Sequence, residues 1–166
     1  MQTEDLITAR EYLSASYRPD RDYVDGVVLE RNFGERDHAE LQGAVFAYFY
    51  NRRKEWGTHV YPEQTVQVSA TRFRIPDVCV VVGDEPDKQI FTHLPFICVE
   101  VLSPEDRLSA MEKRVGDFLA MGVPNVFILD PRTHKAWRAT AQGLLTISEL
   151  RTENPEMLVP LEALFE

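Results

Sequence analysis

Apolar positions that recur every three or four residues predict two long helices in this chain. The first covers residues 36–55, and its apolar positions are Leu41, Ala44, Val45, Tyr48 and Phe49. The second covers residues 104–122, where Pro104 suits the first helical turn, Ser103 is an N-cap residue and Gly122 ends the helix. Because a period of 3.6 residues places such positions on one face, each helix is expected to pack that face on a sheet.

Runs rich in β-branched residues, bounded by proline and glycine, predict the strands of that sheet. Three of these runs lie between the two helices, over residues 60–68, 74–82 and 96–102, and a fourth follows at 126–129. The run at 74–82 is predicted to begin with a turn-like entry into its strand. The resulting order is helix, three strands, helix, strand. This order predicts an α/β (α+β) domain with a mixed sheet flanked by helices.

Shorter elements are predicted before this core. Residues 4–15 have a helical pattern, and the expected apolar contacts of that helix are Leu6, Ile7 and Leu13. Residues 22–31 alternate around Asp25-Gly26, a dipeptide typical of a two-residue hairpin turn. The core therefore has an added N-terminal helix and hairpin.

Further elements are predicted after the core. A hairpin turns at Gln142-Gly143, with strands over residues 135–139 and 144–147, and an apolar segment at 158–165 is expected to be a short helix. A chain of 166 residues suits one domain. The predicted parts of that single domain, 1–166, are the N-terminal helix and hairpin 4–32, the core 36–131, and the C-terminal hairpin and short helix 135–166.

Two carboxylates, Asp77 and Glu100, each lie within one of the apolar strand runs. An ionised carboxylate is costly to bury unless it meets a metal ion or another cation. If the two runs pair antiparallel, opposed residues have a constant sum of residue numbers, and Asp77 with Glu100 gives the same sum as Cys79 with Cys98. That register places all four side chains on one face, with opposed Cβ atoms about 4.5–5.5 Å apart. A slip of one residue would send a carboxylate to the other face.

Two further polar residues fall on predicted apolar faces. His38 lies three residues before Leu41 on the first long helix, and Gln64 shares the parity of Val60 and Val66 in the first strand. A histidine in such a place is either a hydrogen-bonded core residue or a functional one. Gln64 requires a hydrogen-bond partner there. Asp130, in Asp130-Pro131, is interpreted as a structural residue that starts a turn.

Composition excludes several classes of protein. The net charge of −9 counts against a general nucleic-acid binder but not against a nuclease, since local basic patches decide the contact. No stretch approaches the ~20 apolar residues of a membrane span, so no membrane partner is expected. The acidic N-terminus lacks the pattern of a signal peptide. Two cysteines without a Cys-x-x-Cys spacing indicate a reducing compartment and argue against a zinc site, so we expect a cytoplasmic protein with free thiols.

Several short segments, in their order and spacing, match a known family over roughly residues 10–135. They are Tyr23-Val24-Asp25-Gly26, Glu30-Arg31-Asn32 with His38, Ile75-Pro76-Asp77-Val78, Val99-Glu100-Val101-Leu102-Ser103-Pro104, and Gly122-Val123-Pro124 through Leu129-Asp130-Pro131. With them the chain resembles the PD-(D/E)xK nuclease superfamily, whose restriction-endonuclease-like core is an αβββαβ unit. Within that superfamily it is most similar to the Uma-two-type family of putative restriction endonucleases.

The resemblance implies an endonuclease that hydrolyses DNA phosphodiester bonds with Mg²⁺ or Mn²⁺. It implies Asp77 and Glu100 as metal ligands, with the backbone carbonyl of Val101 as a third, and all-oxygen ligation suits these ions. It also brings His38 and Glu30 near the site, and Gln64 more weakly. His38 would orient a water molecule or Glu100.

One departure from the superfamily pattern concerns its lysine. The signature places a lysine two residues after the glutamate, and Leu102 stands there. In the related branch the lysine lies on the following helix, at the position of Arg114, with Lys113 beside it. Arg114 flanks the apolar stripe of that helix, whereas Lys113 points away, so Arg114 is favoured. Arginine does not act as a general base but can stabilise a phosphate. The alternative is that both residues only cover the helix surface.

Three functions remain open from the sequence. The first is a metal-dependent DNA endonuclease, and a homodimer would suit it because a duplex has two strands to cut. The second is a nuclease fold without catalysis that binds nucleic acid or a protein partner, which the missing lysine and the negative charge favour. The third is a metal-dependent hydrolase of another phosphate ester.

Overall fold

The computed structural model describes residues 5–18, 20–31, 35–104, 106 and 108–166. Its α-helices are α1 (Ala9–Ser14), α2 (Arg36–Asn51), α3 (Arg53–Trp56) and α4 (Leu108–Met121). Its strands are β1 (Asp22–Val24), β2 (Val27–Leu29), β3 (Thr58–Pro62), β4 (Val66–Ser69), β5 (Arg72–Arg74), β6 (Val78–Val82), β7 (Ile97–Val101), β8 (Asn125–Asp130), β9 (Lys135–Thr140), β10 (Gly143–Ile147), β11 (Glu149–Thr152) and β12 (Met157–Pro160). Predictions that fall on residues 1–4, on Asn32 and on the side chain of Leu108 lie outside the described residues.

A six-stranded mixed sheet forms the centre of the fold, in the order β10-β9-β8-β7-β6-β3. Strands β7 and β8 are parallel, and the other neighbours in this sheet are antiparallel. Along the chain its central part is α2, β3, β6, β7, α4 and β8. This sequence of elements confirms the predicted αβββαβ core and the mixed sheet flanked by helices.

Hydrophobic cores cover both faces of this sheet. Val45 and Phe49 of α2 pack on one face with Val99 and Phe127, and all four are fully or almost fully buried. The other face packs against α4, and its buried residues include Val115, Phe118, Cys79, Cys98 and Ile128. Residues of even and odd number in β7 therefore serve different cores, as the two-residue period of a strand requires.

The N-terminal hairpin joins a second sheet, in the order β2-β1-β5-β4. The predicted strand at 60–68 is therefore wrong as a single element, because β3 belongs to the central sheet and β4 to this one. Glu63 between them has a left-handed backbone with φ of 48°, which interrupts the extended chain. In the run at 74–82 the strand begins after a turn-like entry, as predicted: β6 starts at Val78, and Arg74 is the last residue of β5.

The hairpin itself matches the prediction, whereas the helix before it is shorter than predicted. Val24 pairs with Val27 across a turn in which Asp25 and Gly26 both have positive φ, as a type I′ turn requires. Helix α1 begins only at Ala9, because Thr8 and Glu11 form a reciprocal capping box. Of the expected contacts, Leu6 and Leu13 are 71% and 48% exposed, whereas the ring of Tyr12 is buried against Tyr23 and Phe73.

The long helices keep their predicted places with different ends. The first divides at Arg52, whose backbone leaves helical geometry between α2 and α3. The second is helical from Leu108, not from Pro104, which lies in a turn. Its end is as predicted: the N–H groups of Gly122 and Val123 bond the carbonyls of Leu119 and Phe118, the pattern of a Schellman motif.

The C-terminal region departs from the prediction in one segment. The hairpin of β9 and β10 is confirmed. The segment predicted as a short helix begins instead as strand β12, which pairs with β11, and only Leu161–Leu164 form a 3₁₀ turn. Its alternating burial, with Met157 and Val159 inside and Leu158 partly exposed, is the period of a strand.

Candidate active site

The two carboxylates predicted to face each other do so. Val78 pairs with Val99 and Cys79 with Cys98, which confirms the predicted register of β6 and β7. Continued by one residue, this register sets Asp77, immediately before β6, opposite Glu100 in β7. Both carboxylates are buried, with 2% and 1% of their surface exposed. The two cysteines on the same face are free and buried thiols, as expected.

Asp77 is held by partners from three separate parts of the chain. Its Oδ2 accepts a 2.7 Å hydrogen bond from the Val101 N–H and lies 3.4 Å from Nε2 of His38. Its Oδ1 lies 3.3 Å from Nη2 of Arg31. Burial acts to raise the pKa of Asp77, but His38, Arg31 and the Val101 N–H outweigh it and lower that pKa. Asp77 therefore stays ionised inside the protein.

Glu100 has the opposite environment. Neither carboxylate oxygen of Glu100 has a hydrogen-bond partner within the described ranges. Its nearest cation is Arg114, with Nη1 3.8 Å from Oε2, which is too long for a hydrogen bond. Burial raises the pKa of Glu100 well above its usual range, and the charge of Asp77 adds to this, while Arg114 opposes it. Glu100 is thus a buried acid whose oxygens meet no donor in the part of the chain that the structure describes.

The oxygen atoms at this point fit a hard divalent cation. Asp77 supplies an ionised carboxylate, and the oxygens of Glu100 lack, among the described residues, the partner that buried polar atoms require. The N–H of Val101 bonds Asp77, and because the N–H and C=O of a strand residue point to the same side, its carbonyl is directed to the same edge of β7. Among the residues that the structure describes, no group of three or more His, Cys, Asp and Glu side chains is placed to hold a metal ion. The set is therefore two carboxylates and a backbone carbonyl, which suits Mg²⁺ or Mn²⁺ better than a soft metal.

Of the two candidate cations on α4, the structure brings Arg114 to the carboxylates. The side chain of Arg114 is 16% exposed and bonds Asp106 at 2.9 Å, in addition to its approach to Glu100. Burial acts to lower its pKa, and the charges of Glu100 and Asp106 outweigh that and raise it. Lys113 is exposed and lines a separate cavity. The helix period explains the difference, since adjacent residues point about 100° apart.

His38 of α2 lies beside Asp77, whereas Arg114 of α4 approaches Glu100. It was expected near Glu100 or a water molecule, and its position beside Asp77 makes it a partner of the other carboxylate. Burial acts to lower the pKa of His38, but the hydrogen bond and charge of Asp77 outweigh it, so that pKa is raised. Gln42, one helical turn further along α2, donates a 3.0 Å hydrogen bond to the Asp77 backbone carbonyl. Sequence reasoning missed Gln42, although its spacing of four from His38 places both on one helix face.

The two weaker candidates lie away from the carboxylates. Glu30 follows β2 with its side chain 81% exposed, and it forms an ion pair of 3.4 Å with Arg21. Gln64, in the connection after β3, donates hydrogen bonds to the backbone carbonyls of Thr65 and Gln89 and so fastens two loops. Asp130 accepts bonds from Arg132 and Thr133, which agrees with a structural role in the turn.

Sequence reasoning also missed Arg31, which stands next to Glu30 in the matched motif. Its side chain reaches Asp77 and Asp22. The signal that could have found it is its parity: it lies two residues beyond Leu29, the β2 partner of Asp22. Asp22 in turn bonds Arg74 at 3.1 Å, and Arg74 bonds Asp117 of α4 at 2.8 Å. A chain of buried charges thus joins the N-terminal hairpin, β5 and α4 to Asp77.

The site opens into a cavity of about 450 Å³. Its wall carries basic and acidic side chains together: Arg18, Arg31, His38 and Arg114 on one hand, and Asp20, Glu63, Asp77 and Asp106 on the other. A second cavity, of about 390 Å³, shares Arg31, Asp106 and Arg114 with the first and adds Lys113 and Ser109. Arginines therefore reach the surface around the carboxylates although the whole chain is negative, but they do not make that surface uniformly positive.

Comparison with known proteins gives a consistent result. The model of the Uma2 family, described as putative restriction endonuclease, matches residues 10–166. Among solved structures, the chain is similar to a putative nuclease belonging to DUF820 from Anabaena variabilis, with a TM-score of 0.81 and 18% sequence identity. That similarity covers 96% of this chain and 97% of the other, and at this identity it shows the fold. No curated protein matches the sequence. Within the described residues, no helix is both long and apolar enough to cross a bilayer.

Proposed function

Because the chain belongs to the Uma2 family of putative restriction endonucleases, we propose that it is a metal-dependent endonuclease that hydrolyses phosphodiester bonds in DNA. The observation that carries this proposal is the buried Glu100, whose oxygens have no donor among the described residues, opposite an ionised Asp77. A protein gains no stability from such an acid, so a ligand that needs negative charge accounts for it.

Each residue of the site has a distinct part in this proposal. Asp77, Glu100 and the Val101 carbonyl would hold Mg²⁺ or Mn²⁺, which when bound polarises the phosphate and lowers the pKa of a water molecule. His38 keeps Asp77 ionised and oriented. Arg114 stabilises negative charge on the phosphate, because its guanidinium is held beside Glu100 by Asp106. Since arginine keeps its proton, it does not serve as the base.

The substrate is proposed to be DNA because the family is described as putative restriction endonuclease and because arginines line the cavity beside the carboxylates. Arg18, Arg31 and Arg114 can contact phosphate oxygens there, while three further carboxylates on the same wall oppose a polyanion, so a bound divalent cation is needed to offset their charge. Phosphate contacts of this kind carry no sequence information. The proposal therefore concerns cleavage, and the target sequence is a separate question.

Plasmid nicking tests the proposal directly. Purified protein is incubated with supercoiled plasmid and Mn²⁺, and we expect nicked circles that do not form in EDTA. Asp77→Asn and Glu100→Gln should abolish the nicking, while Glu30→Gln, which removes an exposed carboxylate outside the site, should not. If the wild type leaves the plasmid intact and calorimetry finds no heat of Mn²⁺ binding, the proposal is wrong.

A second function is favoured by one observation. Leu102 occupies the position of the signature lysine, and both oxygens of Asp77 already have protein partners. A nuclease fold without catalysis that binds nucleic acid would have these features. In that case the protein shifts the mobility of plasmid or short duplex DNA in Ca²⁺, and neither Mg²⁺ nor Mn²⁺ produces a nick.

A further inference from the structure

Arg31 lies between two buried carboxylates, one inside the site and one outside it. Its Nη2 is 3.3 Å from Oδ1 of Asp77, and its Nε is 3.8 Å from Oδ1 of Asp22. The side chain is only 13% exposed, yet it lines both cavities next to the site. Arg31 is thus within reach of any anion that enters either cavity.

Asp22 has two basic partners: burial raises its pKa, and the charges of Arg31 and Arg74 oppose this. Oδ2 of Asp22 is bonded by Arg74 at 3.1 Å, and both side chains are almost fully buried. The link from Arg31 to the other oxygen is longer than a hydrogen bond. The contact with Asp77 is therefore the shorter of the two that Arg31 makes with carboxylates.

That contact competes with a cation for the same carboxylate. The proposed ligands are oxygens of Asp77 and Glu100, and Arg31 occupies Oδ1 of Asp77, at the limit of a hydrogen bond. Two positive groups that share one carboxylate repel each other, so each weakens the binding of the other. A guanidinium released from Asp77 keeps its charge and can take a phosphate oxygen instead.

We propose that Arg31 is an exchangeable counter-ion: it neutralises Asp77 while no divalent cation is bound, and it binds the scissile phosphate once a cation has taken its place at Asp77. The second half rests on the proposed nuclease function, whereas the first half concerns the protein alone. Arg31 is then a phosphate-binding residue supplied by the N-terminal hairpin, in the same cavity as Arg114 of α4.

Calorimetric titration with MnCl₂, without DNA, tests the first half. Arg31→Gln should bind Mn²⁺ about tenfold more tightly than the wild type, the factor that Coulomb's law gives for charges of +1 and +2 about 6 Å apart in water. Arg31→Lys, which keeps the charge, should bind Mn²⁺ with an affinity close to that of the wild type. Arg21→Gln removes a charge from the same hairpin outside the carboxylate site and should leave the affinity unchanged.

Plasmid nicking at saturating Mn²⁺ tests the second half. Arg31→Gln should nick at least about tenfold more slowly than the wild type although it binds the ion more tightly, whereas Arg21→Gln should nick at the wild-type rate. A residue that only supports the fold would weaken Mn²⁺ binding and nicking together, and that outcome overturns the proposal. If Arg31→Gln does not fold, Arg31→Met, which also removes the charge, decides: Mn²⁺ affinity at or below the wild-type value refutes the exchange.

The two proposals fail in different ways. A wild type that never nicks DNA, with Mn²⁺ binding that tightens in Arg31→Gln, refutes the nuclease function and leaves the counter-ion exchange at Asp77. A wild type that nicks DNA, with Mn²⁺ affinity and rate unchanged in Arg31→Gln, keeps the nuclease and refutes the role of Arg31.

Discussion

The backbone N–H of Val101 donates a 2.7 Å hydrogen bond to Oδ2 of Asp77. The residue next to Glu100 therefore positions the other carboxylate of the site. Just before β6 begins, the N–H of Val101 thus bonds a side-chain oxygen instead of a backbone carbonyl. The side chain of Asp77 thereby completes the pairing of β6 with β7. It also explains why the pair is preorganised: the sheet fixes both carboxylates before any ligand arrives.

The two carboxylates have unequal environments, so replacing each of them by an apolar residue is predicted to change the stability of the fold in opposite directions. Glu100→Met, measured in EDTA, should raise the free energy of unfolding by about 1–3 kcal/mol, because it replaces a buried acid without donors by an apolar side chain. Asp77→Leu should lower it by about 3–5 kcal/mol, since it leaves Arg31 and the Val101 N–H without their carboxylate. Urea unfolding followed by circular dichroism gives both values.

Divalent cations provide the control for this pair. Mn²⁺ should raise the unfolding midpoint of the wild type and leave that of Glu100→Met unchanged, because only the wild type has both carboxylates. If Glu100→Met is less stable than the wild type in EDTA, Glu100 contributes to the stability of the fold. The argument from the lack of donors to Glu100 among the described residues would then fail.

Tyr12 predicts a specific loss of stability at alkaline pH. Its hydroxyl donates to the Arg21 carbonyl, and burial, aided by the charges of Asp22 and Asp20, raises its pKa to about 12. Between pH 10 and 12 the unfolded chain releases the phenolic proton and the folded chain keeps it. Stability present below pH 10 is therefore lost as pH rises, by at most about 1.4 kcal/mol per pH unit, and by less where water screens the phenolate.

Tyr12→Phe isolates this contribution. The variant should be less stable than the wild type at pH 8, by about 1 kcal/mol for the lost hydrogen bond, and the difference should shrink as the pH rises to 12. Tyr50→Phe, at a tyrosine that is 41% exposed, is the matched control. Parallel curves for the wild type and Tyr12→Phe across this range would contradict the prediction.

The central strands could be predicted because the residues within each strand determine how the strands pair. Asp77, Cys79, Cys98 and Glu100 coincide in one antiparallel register, and any other register separates them. The helix end at Gly122 was predictable for the same reason, since a positive φ of 103° favours glycine. In both cases neighbouring residues alone decide the geometry.

Long-range pairing explains what the sequence did not reveal. Strand β4 pairs with β5, which follows it directly in the chain, but β5 then pairs with β1 of the distant N-terminal hairpin, where Tyr23 lies opposite Phe73. Arg31 belongs to the site only because β1 pairs with both β2 and β5, which brings it to Asp77. The exposure of Leu6 and Leu13 similarly follows from the packing of Tyr12, which no helical period encodes.

The position of Arg114 predicts which residue of α4 replaces the missing lysine. Arg114→Ala should reduce the nicking rate by about 100- to 1,000-fold, the usual loss when a preorganised donor to transition-state charge is removed. Arg114→Lys should retain more activity than Arg114→Ala, because lysine keeps the positive charge beside Glu100 and loses only the contact of Arg114 with Asp106. Lys113→Ala should stay close to the wild type, since Lys113 is exposed and faces the second cavity.

Rates at saturating DNA and Mn²⁺ measure the chemical step, and thermal unfolding of each variant shows whether the loss of the Asp106 contact affects the fold. Equal losses in Lys113→Ala and Arg114→Ala would mean that the helix contributes only general positive charge, and Arg114 would then have no specific role beside Glu100.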